Sequence, residues 1–107
     1  MVRAYVLLAE RGLVSLSTTS AVIAQVWRGG ARQARLARFL SSDLITEEPL
    51  AAAASRRIGV LAAATGASDV VHGHVALLAM ERDAVVLTSD PDDLVGWGIA
   101  ADRIVTC

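Results

Sequence analysis

Two histidines stand close together in the stretch SDVVHGHVALLAM, which reads as the start of an apolar helix. Asp69 and His72 are three residues apart and therefore share a helix face. His74 lies about 200° around a regular helix from His72, so the two imidazoles diverge. A zinc pair on one helix prefers spacings of three or four, and both histidines are also compatible with ordinary core or surface positions. The His72 face continues with small side chains that we expect to leave room for a ligand, namely Ala76 and Ala79.

A second cluster follows the most strand-like segment, AVVLTS. Asp90, Asp92 and Asp93 come directly after it and offer the oxygen ligands that a hard cation such as Mg²⁺ prefers. The same residues suit the start of a helix, with Asp90 as N-cap, Pro91 as first residue and two acids near the positive end of the helix dipole. Both interpretations stay open, because a capping loop can also present an oxygen outward.

A third cluster consists of arginines, which supply all ten basic residues of the chain. Gln25 and Arg28 share a face of a predicted helix. Arg28 leads to Arg32, Arg35 and Arg38, which follow one another at a spacing of three. Such a row could follow a phosphate backbone, since the guanidinium contacts phosphate through two donors. A solvated helix face and a compositional bias toward arginine are the alternatives.

The elements that must position these residues alternate between strands and helices. Strands are predicted in LVSLST, LITEE, AVVLTS and RIVT. Such alternation implies a parallel sheet with helices on both faces and with sites at the carboxyl ends of strands. Thr18 or Thr19 is expected to cap one helix, and Ser68 is expected to cap the helix that carries His72. Between them, Pro49 is expected to open a helix that Gly66 ends. The predicted buried stripe of that helix consists of Leu50, Ala54, Ile58 and Leu61.

Length and composition limit the number of domains and the classes of protein that are possible. With 107 residues, 54% of them hydrophobic, the chain is expected to be one packed domain. A net charge of −1 gives no general attraction to nucleic acid or membranes. The single cysteine, Cys107, cannot form an internal disulfide, and the sequence shows neither a signal peptide nor a membrane span. We therefore expect a cytoplasmic protein.

Together these segments resemble a PIN domain, in particular the VapC-type toxin ribonucleases. The resemblance rests on VIAQVWRGGARQARLARFL, AATGASDVVHGHVALLA, VVLTSDPDDL and IVT, which cover nearly the whole chain from about Leu13 in the family order. It implies a single PIN-like domain over residues 1–107, built as a three-layer α/β/α sandwich with a short parallel sheet. It also implies RNA cleavage with Mg²⁺ or Mn²⁺, an antitoxin partner and a homodimer.

The resemblance assigns the metal site to acids that this sequence keeps only in part. Gln25 and His72 stand where the family has acids, Asp90 matches a family acid, and Asp69 and Asp93 are acids nearby. Each carboxylate about 4 Å from a divalent ion contributes roughly 8 kcal/mol of gross attraction at an effective dielectric near 20. We therefore expect weak Mg²⁺ binding at Asp90, Asp93 and Asp69, whereas a neutral His72 would accept Mn²⁺ or Zn²⁺ more readily.

The family's first acid ends an N-terminal strand that this sequence lacks and that lies at the centre of the family's sheet. We expect the four remaining strands to close into one sheet, or to leave an open slot that a dimer covers by sharing or exchanging elements. The main functional expectation is a catalytically impaired protein that binds itself, an antitoxin-like partner or RNA, the last through Arg28, Arg32, Arg35 and Ser89. The alternatives are a working metal-dependent endoribonuclease that uses the remaining acids, and a product without a selected function.

Overall fold

The computed structural model describes residues 2–107, except for the side chain of Arg32. The chain divides into two compact units, of which the first ends at Pro49 and the second runs from Leu50 to Cys107. The longest helix has 14 residues, and within the described part of the chain no helix has the length and apolarity needed to cross a bilayer.

The N-terminal unit contains three α-helices and one pair of parallel strands. Strand β1 pairs with β2 so that Leu16 lies opposite Ile45. Thr19 ends β1 and caps the next helix, because its hydroxyl accepts a hydrogen bond of 3.1 Å from the backbone N–H of Val22. The elements in chain order are α1 (Val2–Glu10), β1 (Leu16–Thr19), α2 (Ser20–Val26), a 3-10 turn (Ala31–Gln33), α3 (Ala34–Leu40) and β2 (Ile45–Glu48).

The described part of the N-terminal unit contains no fully buried apolar residue. None of its three α-helices carries a buried residue, and Thr19 is the only buried residue among the described residues of this unit. Several large apolar side chains are instead exposed, namely Val2, Leu7, Leu13, Trp27 and Leu36. The described apolar side chains of this unit are half-buried or exposed, so each gains less from burial than a core residue does.

The C-terminal unit also has three α-helices and one pair of parallel strands. Val86 of the first strand lies opposite Ile104 of the second. Gly66 ends the first helix in the left-handed conformation at φ 78°, as the sequence predicts. The elements are α4 (Ala52–Thr65), α5 (Val70–Arg82), β3 (Val86–Thr88), α6 (Pro91–Gly96), a 3-10 turn (Ala101–Arg103) and β4 (Ile104–Thr106).

The predicted mixture of helices and parallel strands is confirmed, but a single closed-up sheet of four strands is not formed. Over residues 2–107 the strands pair as β1 with β2 and as β3 with β4. Each strand has only three or four residues, and each pair is connected by helices of its own unit. The short ladders therefore remain local to each unit.

The predicted start of α4 is wrong by three residues. Pro49 directly follows β2, and the helix begins only at Ala52, so the proline ends the strand region instead of opening the helix. Leu50 consequently lies outside the helix and is 41% exposed, although the sequence predicts it in the buried stripe. Ala54 and Ile58 of that stripe are buried, and Leu61 packs against them.

The core of the C-terminal unit is centred on Trp97, which is only 1% exposed. Its ring lies so close to Gly73 of α5 that a Cβ atom there would be 2.6 Å from the indole. This contact holds the end of α6 against the first turns of α5. Ala76 and Ala79 belong to the same core, so the expectation that they leave room for a ligand is wrong.

Replacing Gly73 by alanine is expected to destabilise the protein by about 1–3 kcal/mol, because the added methyl group overlaps the Trp97 ring. Urea unfolding measures this change. Gly59 of α4 is the matched control, since a Cβ atom added there would have no neighbour within 4 Å. Gly59→Ala is expected to stabilise by roughly 0.5–1 kcal/mol through helix propensity. Equal stabilisation by both substitutions would contradict the packing argument.

Candidate metal centre

Four polar side chains meet where two helices of the C-terminal unit begin. Asp69 is the N-cap of α5 and His72 lies in its first turn. Asp90 occupies the N-cap position of α6, two residues after the end of β3, and Asp93 lies in the first turn of that helix. Acidic side chains suit both places because the positive ends of helix dipoles favour negative charge.

The imidazole of His72 stands between these carboxylates. Its Nδ1 atom is 2.7 Å from Oδ2 of Asp69. Its Nε2 atom is 3.6 Å from Oδ2 of Asp90 and 3.7 Å from Oδ2 of Asp93. The His72 side chain is 17% exposed, whereas those of Asp90 and Asp93 are 58% and 59% exposed. Each ring nitrogen therefore has a separate acidic environment, and the Nε2 side is open to solvent.

Short backbone contacts hold the acidic residues in place. The Oδ1 atom of Asp69 accepts a hydrogen bond of 3.0 Å from the backbone N–H of Val71. Asp69 is thus the cap of α5, one residue after the predicted Ser68, because its carboxylate reaches the free N–H groups of the first turn. The backbone N–H of Asp90 donates to the Thr88 hydroxyl at 2.9 Å.

Asp90 does not act as the predicted side-chain cap of α6. It stands at the N-cap position, but its carboxylate makes no capping hydrogen bond and lies near His72 instead. Pro91 is in the first turn of the helix, as the sequence predicts, and Asp92 and Asp93 follow it there. The sequence TSDPDD therefore both starts a helix and presents acids to the cluster.

The cluster changes the proton affinity of two of its members. Partial burial disfavours the imidazolium, but the hydrogen bond to Asp69 and the charges of the surrounding carboxylates outweigh it and raise the pKa of His72 above 6.5. The hydrogen bond from His72 is the main cause that lowers the pKa of Asp69 below 3.8, against a smaller opposing effect of burial. Asp69 is thus a carboxylate and a hydrogen-bond acceptor at neutral pH.

The donor atoms on the Nε2 side fit a divalent metal. One ligand atom each from His72, Asp90 and Asp93 lies within 4.8 Å of the other two. Two donors about 2.1 Å from a tetrahedral ion are about 3.4 Å apart, so the observed 3.6 and 3.7 Å require only small side-chain rotations. One imidazole nitrogen and two carboxylate oxygens leave further coordination positions for water or substrate.

The roles of Asp69 and His72 are not distributed as the sequence suggests. The sequence predicts Asp69 as a metal ligand, but the structure places it on the Nδ1 side of the ring, away from the shared donor position. The sequence places His72 where the family has an acid and predicts that it accepts Mn²⁺ or Zn²⁺ when neutral. In the structure its Nε2 atom completes the donor set. The sequence offers one signal for this arrangement, which is a spacing of three residues within each pair. Asp69 and His72 form one pair, and Asp90 and Asp93 form the other.

His74 lies apart from this cluster, as its position on the helix predicts. The residue is 1% exposed and belongs to the buried side of α5. The two histidines of the chain therefore point into different environments, one into the interior and one into the acidic cluster. A metal site shared by both is not formed.

The remaining predicted site residues belong to both units, with Gln25 and the arginine row in the N-terminal unit and Ser89 in the C-terminal unit. Gln25 is exposed on α2 of the N-terminal unit, and Ser89 is exposed between β3 and Asp90. The arginine row is interrupted, because α2 ends at Val26 and α3 begins at Ala34. Arg28 donates to the backbone oxygens of Ala24 and Trp27 at 3.1 and 3.4 Å, at the C-terminus of α2. Arg35 and Arg38 are exposed on α3, and the side chain of Arg32 lies outside the described part of the structure.

Comparisons of the chain with protein-family models, with curated proteins and with solved structures find no match. They assign neither a family nor an activity. The residues and geometry of the cluster are therefore the basis for a functional assignment.

The pH dependence of stability should report the interaction of His72 with the acids. Because the folded state raises the pKa of His72, its stabilising contribution is present below pH 6.5 and is lost as the pH rises through the raised pKa. The stability difference between wild type and His72→Gln, measured by urea unfolding with a chelator present, should favour wild type more at about pH 5.5 than at about pH 8.5.

Asp92→Asn is the control for this measurement, since Asp92 lies in the same helical turn but outside the cluster. Its stability difference from wild type should change little between the two pH values. The arrangement of charges would be contradicted if the stability difference between wild type and His72→Gln were the same at both pH values. It would also be contradicted if this difference grew toward high pH.

Proposed function

We propose that the C-terminal unit binds a divalent transition metal at His72, Asp90 and Asp93, and that the chain is a PIN-like protein with weak or no ribonuclease activity. The observation that carries the metal proposal is the convergence of His72 Nε2 on two carboxylates, at 3.6 and 3.7 Å. The PIN-like assignment is supported by the sequence motifs, among which Asp90 matches a family acid.

The donor set favours borderline metals over Mg²⁺. Mg²⁺ prefers oxygen ligands in a nearly ideal octahedron, whereas imidazole suits Zn²⁺ and also accepts Mn²⁺. Two carboxylates and one neutral imidazole supply two negative charges, fewer than a cluster built from acids alone. The metal would polarise a phosphate and activate a water when bound. His72, Asp90 and Asp93 would hold the metal. Because this donor set carries only two negative charges, we expect little RNA cleavage.

A structural ion-pair cluster is the competing explanation. A protonated His72 can serve as the counter-ion of the surrounding acids without any metal. Since Asp90 and Asp93 are more than half exposed, such pairs contribute little to stability. Metal and proton would use the same Nε2 lone pair, so binding must be tested above the raised pKa of His72.

Calorimetric titration at a pH above the raised pKa of His72 tests the proposal, since the imidazole is then neutral. Wild type is expected to bind Zn²⁺ and Mn²⁺ more tightly than Mg²⁺. Asp90→Asn and Asp93→Asn should each weaken Mn²⁺ binding by at least about 10-fold, because each removes one charge next to the ion. Asp92→Asn should leave the affinity nearly unchanged. His72→Asp should shift the preference toward Mg²⁺.

Two results would contradict this account. Absence of Zn²⁺ and Mn²⁺ binding would leave His72 as the centre of an ion-pair cluster. Cleavage of RNA that requires Mg²⁺ and disappears in Asp90→Ala would instead support the alternative of a working endoribonuclease, in which the remaining acids suffice.

We further propose that the chain forms homodimers through the N-terminal unit. The support is the absence of buried residues in α1, α2 and α3, together with the exposed apolar side chains of this unit. Trp27 and Leu36 also line a half-open, mainly apolar pocket of about 150 Å³ with Val26 and Ala37. Association would remove this surface from water. An antitoxin-like protein or RNA remains an additional partner implied by the family resemblance.

Sedimentation equilibrium should find a dimer at micromolar concentration. Trp27→Glu should shift the equilibrium toward monomer by at least about 10-fold, since it places a charge in the apolar surface. Val60→Glu is the control, because Val60 is 72% exposed on α4 of the other unit. A wild-type monomer, or equal dissociation by both variants, would contradict the proposed interface.

A further inference from the structure

We propose that Asp69 is a positioning residue for the metal site and not one of its ligands. This inference rests on the proposed function, because it concerns how His72 is prepared to bind the metal. Asp69 Oδ2 lies 2.7 Å from His72 Nδ1, whereas Asp90 and Asp93 lie on the side of Nε2. The ring is therefore bonded to an acid at one nitrogen and directed toward the shared donor position at the other.

The contact with Asp69 selects one tautomer of the neutral imidazole. An ionised carboxylate only accepts hydrogen bonds, so the proton of the neutral ring is held at Nδ1. The lone pair is then on Nε2, the atom that faces Asp90 and Asp93. The opposite tautomer would place a hydrogen where the metal must bind. Metal-binding histidines commonly use such a carboxylate partner, which also makes the ring nitrogen a stronger ligand.

Asp69 is itself fixed, which makes it able to orient the ring. Its Oδ1 atom accepts a hydrogen bond from the backbone N–H of Val71 at 3.0 Å while Oδ2 contacts His72. The two oxygens of one carboxylate thus connect the backbone of α5 to the imidazole. Rotation of the His72 ring would break the contact at Nδ1 and move Nε2 away from the other acids.

Asp69→Asn separates the capping role from the positioning role. Asparagine is as good an N-cap as aspartate, and its oxygen can accept the bond from Val71. Its NH₂ group then faces Nδ1 as a donor and favours the tautomer with the proton on Nε2. The fold should be retained, whereas the Nε2 atom of His72 would carry a proton in place of the lone pair that binds the metal.

The experiment combines Zn²⁺ titration with ¹⁵N NMR of the histidines at a pH above the raised pKa of His72, where the neutral tautomers are observed. Metal-free wild type should show His72 protonated at Nδ1, and Asp69→Asn should shift it toward protonation at Nε2. The variant should bind Zn²⁺ about 10- to 100-fold more weakly than wild type. Asp92→Asn, which removes an equal charge without touching His72, should retain both the tautomer and the affinity.

The outcomes distinguish this inference from the proposed function. Wild type that fails to bind Zn²⁺ overturns both. Wild type that binds Zn²⁺, with Asp69→Asn binding equally well, overturns the positioning role alone and leaves the metal site in place. Protonation of His72 at Nε2 in metal-free wild type also overturns the positioning role. Unfolding transitions of the two variants show that both are folded under the titration conditions.

Discussion

The contact between Trp97 and Gly73 is the constraint on which the cluster depends. The indole is buried directly against the α5 backbone, at a distance that only glycine permits. The residue before Gly73 is His72, and Trp97 immediately follows α6, the helix that carries Asp93. Packing of the core thereby sets the distance between a histidine on one helix and the acids at the start of another. The core and the candidate site are consequently parts of one arrangement.

The negative charge of the cluster can be compensated in two ways. Three carboxylates surround one imidazole, and either a proton on Nε2 or a divalent ion beside it reduces their mutual repulsion. The proton gives an ion-pair cluster, and the metal gives a coordination site that is open to solvent. The same geometry supports both states, but the two states cannot occupy Nε2 together. We expect Asp69 to stay on the Nδ1 side in either state.

Local signals in the sequence predict the local structure well. The cap at Thr18 or Thr19, the helix end at Gly66 and Pro91 in the first turn of α6 depend only on neighbouring residues. The cap is Thr19, and the other two predictions are confirmed. The predictions at Pro49 and Ser68 are wrong because a proline after a strand and a serine beside an aspartate each allow two helix starts. The partition into two pairs of strands could not be read from the sequence, since it depends on which strands pair over long separations.

The candidate site is predictable in its members but not in its arrangement. Periodicity places Asp69 and His72 on one helix face, and TSDPDD marks Asp90 and Asp93 as acids at a strand end. Nothing local indicates that the latter pair faces Nε2 while Asp69 faces Nδ1, because this depends on how α6 packs against α5 through Trp97. The sequence suggests Asp69 as a metal ligand only because it is an acid near the other two. The structure shows instead that it contacts Nδ1 of His72.

The central claim is that His72 Nε2, Asp90 and Asp93 form one metal-binding position. A crystal structure determined with Zn²⁺, using anomalous scattering at the zinc edge, tests it most directly. The account predicts one anomalous peak about 2.0–2.2 Å from Nε2 and from an oxygen of each of the two aspartates, with Asp69 still bonded to Nδ1. A peak elsewhere, or none at this position when the protein is saturated with Zn²⁺, would contradict it.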